Sequence, residues 1–189
     1  MADSVRILGI SGSLRKGSYN TAALNAAIHL CPEGVTIEVF DIAAIPLYNE
    51  DVREQGLPDP VQRFRDRLAA SDAVLFVSPE YNYSMPGVLK NAIDWASRPP
   101  NPPFDGKPVA IMGASPGMLG TARMQYHLRQ SLVFLNALPV NKPEVMISNC
   151  GTKFDAEGNL TDAKTREMIT RLLTALADWT RRLRRGSGG

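Results

Sequence analysis

The chain is 189 residues long, enough to bury one sizeable core, and its 44% hydrophobic and 21% charged residues exclude a disordered or low-complexity protein. A net charge of +2 excludes a field strong enough to draw in nucleic acid or an anionic membrane surface. No apolar run reaches the length of a membrane helix, and the N-terminus enters a strand pattern directly instead of a signal peptide, so a cytoplasmic protein is expected.

Residues 5–10 form a nearly continuous apolar run, the pattern of a strand buried on both faces in a parallel sheet. A loop of Ser, Gly, Arg and Lys follows. An Ala/Leu-rich helix is predicted over 19–30, stopped by Pro32 and Gly34. A strand, a small-residue loop and a helix start in that order make an anion site, because loop N–H groups and the first helical turn converge and the helix dipole favours negative charge. Ser11, Ser13 and Ser18 add hydroxyls, and Arg15 adds a forked cation suited to a phosphate dianion. The order Lys16-Gly17-Ser18 inverts a Walker loop, and Gly9, Gly12 and Gly17 do not match the dinucleotide fingerprint. A plain polar connection without a ligand would need fewer residues than this one has.

Residues 35–40 alternate, predicting a second strand with one face partly wet. Residues 41–58 read as a long irregular connection, 59–70 as a helix, and 73–77 as a fully apolar third strand. Pro86 opens a helix over 87–97 that Pro99 and Pro100 stop, and the stretch Arg98–Pro103 is expected to be extended and semi-rigid. A fourth strand is predicted at 107–113, a Gly/Ser/Pro loop at 114–120, a helix at 121–135 and a fifth strand at 144–148, with a short piece near 138–140. After a polar turn at 150–160 the last helix starts on Thr161 as its cap and runs to about Leu183. Residues 1–185 thus read as one domain and 186–189 as a disordered tail. Strands alternating with helices predict an α/β fold, a doubly wound five-stranded parallel sheet, taken in the order 2-1-3-4-5.

In such a sheet the loops after strands one, three and four meet at one edge. The loop after strand three, Pro79–Gly87, carries Tyr81, Asn82 and Tyr83, flat faces and a hydrogen-bonding edge against which a planar ring could lie. Glu80 beside them is either a general base or a carboxylate bonding backbone amides at a turn. The loop after strand four offers Ser115 as a donor and Gly117 among glycines that permit close approach. Arg123 follows, facing either the phosphate of a second nucleotide or a surface carboxylate. His29 and His127 fall within helices, outside the three loops. Cys31 and Cys150 lack metal or disulfide spacing and are expected as buried free thiols. With no metal cluster and no protein catalytic residue, the site suits a cofactor that does its own chemistry.

The stretches Gly12-Ser-Leu-Arg-Lys-Gly-Ser-Tyr-Asn20 and Pro79-Glu-Tyr-Asn-Tyr-Ser-Met-Pro-Gly-Val-Leu-Lys-Asn-Ala-Ile-Asp-Trp95 together resemble the NADPH-dependent FMN reductase family of flavodoxin-like proteins, in particular its bacterial chromate and quinone reductases. The resemblance implies a flavodoxin-like three-layer sandwich and bound FMN, with its phosphate on Ser13, Arg15, Ser18 and Asn20, and Ser11 and Tyr19 beside it. It implies a ring resting against Pro79, Glu80, Tyr81 and Asn82, near Ser115 and Gly117. It also implies dimers or tetramers that use NADH or NADPH. The expected activity passes two electrons from NAD(P)H through FMN to a quinone, with chromate, azo dyes and ferric complexes as further acceptors. Two alternatives stand beside it. One is a non-enzymatic electron carrier, which should have an acidic docking face that a net charge of +2 opposes. The other is a dehydrogenase with Asp41 as its ribose-binding acid. Leu47, Tyr48 and Trp95, in or beside 41–58 and the helix 86–97, are expected to meet a second subunit that walls the flavin; the alternative is that these segments fold back on their own subunit.

Overall fold

The structure is a computed structural model that describes residues 4–186. The opening apolar run forms β1 (Val5–Ser11), flanked in parallel by β2 (Val35–Phe40) and β3 (Ala73–Val77). The register pairs Val5 with Val35 and Ile7 with Ala73. Next to β3 lies β4 (Pro108–Ala114), with Val74 opposite Val109. The order β2-β1-β3-β4-β5 is the one the alternation predicts. The fifth position is filled in two pieces: β5 (Leu138–Pro139) beside the start of β4, and β6 (Val145–Ile147) beside its end. Pro139 and Pro143 lack the N–H a ladder needs, which an edge position tolerates.

Alternate side chains of β1, β3 and β4 point to opposite faces, and both faces are covered. Val5, Ile7, Leu75, Val77 and Met112 pack under α1 (Tyr19–His29) and α6 (Ala163–Gly186). Leu8, Ile10, Val74, Phe76 and Ile111 pack under α3 (Asp59–Ala70), α4 (Gly87–Ala96) and α5 (Ala122–Phe134). This two-sided burial is why these strands read as apolar runs without alternation. Gly9 lets α1 settle on the sheet: a Cβ there would lie 2.7 Å from Leu24.

Four local expectations need correction. The connection 41–58 contains a short helix, α2 (Glu50–Glu54), capped by Asn49, whose Oδ1 accepts from Asp51 N at 2.9 Å. The Pro-rich stretch turns instead of extending, wrapped round the buried Arg65, whose guanidinium donates to the carbonyls of Ala96 (2.9 Å), Arg98 (2.6 Å) and Pro100 (2.6 Å). Prolines leave carbonyls without neighbouring N–H partners, and one guanidinium supplies several donors. The cap of α6 is Asp162, which accepts from Thr165 N at 2.8 Å; Thr161 is held back by Lys153 O at 2.9 Å. Finally, α6 continues past Leu183 to Gly186, its end pinned by Arg184 to Asp72 at 2.7 Å and to Ser4 O at 2.9 Å. Gly186 is therefore helical, and the rest of the expected tail, 187–189, lies outside the described residues.

The expected subunit contact loses Trp95 and keeps a half-buried Tyr48 beside an exposed Leu47. Trp95 is buried, and its Nε1 donates to Pro46 O at 2.8 Å. Asn91 Nδ2 donates to the same carbonyl at 2.8 Å, and Tyr48 N donates back to Asn91 Oδ1 at 2.8 Å. The Tyr48 ring meets Trp95 edge-on at 4.8 Å. Residues 45–49 are thus stapled to α4 of their own subunit, leaving Leu47 84% exposed. No helix among the described residues is long and apolar enough to cross a membrane.

Candidate functional site

The C-terminal ends of β1, β3 and β4 converge at Ser78, which is fully buried. Gly12 N donates to Val77 O at 2.9 Å, and a Cβ on Gly12 would overlap the Ser78 hydroxyl. A Cβ on Gly113 would overlap Ser78 O. Glycine at these two places is what lets three loops meet on one edge.

The loop after β1 ends on Ser18, whose Oγ caps α1 by accepting from Asn20 N (3.2 Å) and Thr21 N (3.4 Å). Ser11 Oγ shares a bond with Thr21 Oγ1 at 2.9 Å and accepts from Ser13 N at 3.3 Å; Ser13 Oγ accepts from Arg15 N at 3.4 Å. The serines therefore shape the loop, and Ser13 and Ser18, whose Oγ atoms accept in these bonds, keep their own O–H to donate. The N–H groups of Lys16, Gly17 and Tyr19 find no acceptor among the described residues, and they lie at the positive end of an eleven-residue helix. Arg15 is exposed, makes no ion pair among the described residues and lies 5.9 Å from the Tyr19 ring. Tyr19 in turn packs on Phe154 at 5.3 Å. A groove of ≈ 390 Å³ runs here, between Arg15, Lys16 and Tyr19 on one side and the turn 155–158 on the other.

Asn20, which the resemblance sets at the phosphate, has a structural use for its side chain. It is buried, and its amide is bound in both directions to Ala114: Nδ2 to O at 3.0 Å, and Ala114 N to Oδ1 at 2.7 Å. It ties the start of α1 to the end of β4 and so fixes the first loop against the third.

The loop after β3 is a tight two-residue turn. Tyr81 and Ser84 exchange both backbone bonds at 2.9 Å, and Asn82 and Tyr83 between them hold positive φ, 50° and 65°. These are the angles of a type I′ turn, which a bulky residue such as Tyr83 adopts only under constraint. The amides of Glu80, Asn82 and Tyr83 have no acceptor among the described residues. Tyr81 and Tyr83 are exposed. Glu80 resolves to the second of its two readings: its Oε2 accepts from Arg123 N (3.0 Å) and Met124 N (3.1 Å), in the first turn of α5. Arg123 likewise meets a carboxylate, Glu80, at 3.5 Å, and lies 3.8 Å over the Tyr83 ring.

In the loop after β4, Ser115 Oγ accepts from Gly117 N at 3.1 Å, and Ser115 O accepts from Cys150 N at 3.1 Å. The segment after β6 therefore braces the third loop, a role its polar composition did not reveal. Cys150 is buried there and its thiol is pushed up by burial; Cys31 is only half-buried, but shifts the same way for the same reason. Met118 and Leu119 are exposed apolar groups of this loop. The sequence reading also set His127 outside the three loops. The fold brings its Nδ1 to 2.7 Å from Ser84 Oγ. The available signal was spacing, since His127 lies one helical turn beyond Arg123 on the same face. Asp41 turns inward on its own loop, accepting from Ala43 N at 2.9 Å.

Among the described residues the edge thus offers an unpaired guanidinium with free helix-start amides at one loop, and free turn amides beside aromatic faces at the next. That donor set suits an elongated ligand with an anionic end and a planar ring edged by acceptors. The sequence pattern of NADPH-dependent FMN reductases matches residues 5–152. An NAD(P)H-dependent FMN reductase of Pseudomonas aeruginosa is 64% identical over 184 residues, spanning 97% of this chain and 100% of its own length. A quinone reductase of Escherichia coli is 43% identical over 187 residues, spanning 97% of this chain and 100% of its own. Among solved structures, the flavoenzyme NAD(P)H:(acceptor) oxidoreductase FerB of Paracoccus denitrificans superposes with a TM-score of 0.86 at 36% identity, covering 94% of this chain and 98% of its own. The motif-bearing loops, the strand order and this full-length likeness agree: the chain belongs to the NADPH-dependent FMN reductase family.

Proposed function

We propose that this protein is an FMN-dependent reductase that takes an electron pair from NADH or NADPH and delivers it to quinones. The observation that carries the reading is the pairing, on one sheet edge, of the unpaired Arg15 and its helix-start amides with the free amides of Glu80, Asn82 and Tyr83. Arg15, the hydroxyls of Ser13 and Ser18, and the amides of Lys16, Gly17, Tyr19 and the helix start at Asn20 would hold the phosphate of FMN. Pro79, the turn amides, Ser115 and Gly117 would hold the ring, and Tyr81 and Met118 would limit water at its rim. Bound FMN supplies the chemistry, accepting a hydride and passing the electron pair on. The chain's part is to orient and shield, since the Glu80 carboxylate is spent on two amides and Arg123. The names of the Pseudomonas and Escherichia relatives support the donor and the acceptor class respectively. Chromate, azo and ferric acceptors are an extension of the same proposal. So is a cytoplasmic setting, where soluble NAD(P)H is at hand.

Purified protein loaded with FMN is expected to lose its yellow colour on adding NAD(P)H alone and to regain it, without oxygen, on adding a quinone. A flavin that stays oxidised until a separate reductase is supplied would sink the reading and favour a carrier. We also propose a homodimer or homotetramer, supported by Leu47, Val133 and Phe134, large apolar side chains exposed by 84%, 77% and 85%. A light-scattering mass of one chain at micromolar concentration, with full activity, would rule that out.

A further inference from the structure

The turn that would seat the ring is held by α5. Glu80 reaches the first-turn amides of Arg123 and Met124, Arg123 covers the Tyr83 ring, and His127 bonds Ser84 one turn further along. These contacts join one face of one helix to residues 80–84. Inside that span Asn82 and Tyr83 both sit in the left-handed region, where side-chain-bearing residues stay only when their surroundings over-determine them. The reciprocal bonds of Tyr81 and Ser84 close the turn but do not orient it. A carboxylate at a helix N-terminus accepting two N–H bonds is a strong, directional tie. The amides left without partners, Glu80, Asn82 and Tyr83, are those whose direction this tie sets.

We propose that Glu80 is a positioning residue of the reductase: it mounts the ring-binding turn on the N-terminus of α5, with His127 as a second fastening through Ser84. The proposal rests on the FMN reading above. It assigns Glu80 no proton in the reaction; the carboxylate acts through the amides it orients.

The test compares wild type, Glu80→Ala, Glu80→Gln and His127→Ala, reading the Kd of FMN and of riboflavin and the midpoint potential of the bound FMN. Glu80→Ala should raise both Kd values by the same factor, roughly ten- to a hundredfold, and shift the potential. Glu80→Gln keeps an oxygen that can accept both N–H bonds and should recover most of the affinity and the potential. His127→Ala should move both Kd values together by about threefold, the worth of one neutral hydrogen bond. Equal ligand losses are the signature of the ring end, since riboflavin lacks the phosphate. Glu80→Ala with both Kd values unchanged would overturn the proposal, as would a loss confined to FMN. A Glu80→Gln variant that binds flavin normally but turns over about a hundredfold more slowly would also overturn it, by showing Glu80 at work on the reacting atoms. If Glu80→Ala does not fold, Glu80→Asp, one methylene shorter and unable to reach both amides from the same backbone, must raise both Kd values together or the proposal fails. Wild type that binds neither flavin would sink the FMN reading itself.

Discussion

Arg15 and Asn20 belong to one loop and one helix start and meet opposite surroundings. Arg15 stands in solvent with its charge uncommitted, while Asn20 spends its whole amide on Ala114. Residue type did not separate them: both are good phosphate donors on paper. What separates them is burial, which follows from the neighbouring strand and is not written in the loop. The same holds for His127, whose partner Ser84 is distant in sequence and close only through the fold. Arg15 was legible because a lone cation before a helix start has little else to do. Arg15→Ala is expected to weaken FMN binding by about 1–3 kcal/mol, the scale of a charge-assisted bond, and riboflavin binding far less. Titration of the two ligands against wild type and variant checks this. Equal losses would mean Arg15 supports the loop and not the phosphate.

At the scale of elements, strands buried on both faces announced themselves as unbroken apolar runs, and helices by their stops. The segments that misled were those whose partners are long-range. Trp95 and Tyr48 looked unclaimed because nothing near them in sequence explained them, yet together with Asn91 they staple 45–49 to α4. Arg65 likewise shapes the Pro-rich turn from another helix. Trp95→Phe keeps most of the buried ring but removes the Nε1 donor to Pro46 O. It is expected to cost about 2–3 kcal/mol of stability, from the lost bond and the space the smaller ring leaves, and to speed protease cleavage within 41–58. Cleavage kinetics under native conditions, alongside urea unfolding, read both effects. An unchanged cleavage rate would mean the Asn91 bonds alone hold the segment.

The whole molecule gathers the loops proposed to hold the flavin at one edge of the sheet and a polar brace at the other. Asp72, just before β3, accepts from Arg6 N at 2.7 Å and pairs with Arg184 at 2.7 Å, so it joins β1, β3 and the end of α6. Burial raises its pKa, but the Arg6 N–H and the Arg184 guanidinium together outweigh that and leave it below the ordinary carboxylate value. Lys107 faces the same pocket, its own pKa lowered chiefly by burial. A carboxylate whose folded pKa is depressed contributes stability that is fully present above its unfolded pKa, about 3.9, and is lost as pH falls through the folded one. Asp72→Asn should therefore be less stable than wild type at neutral pH by about 1–2 kcal/mol, a figure kept low because the pair is partly screened by water. The gap should hold down to about pH 4 and close below it. Because Asp72 and the loops proposed to hold the flavin lie on opposite edges, any contribution of bound FMN should enter both proteins alike and cancel in the difference. Urea unfolding of both proteins across that range measures the gap directly. A difference that stays constant into acid would show that Asp72 acts through its shape and not its charge.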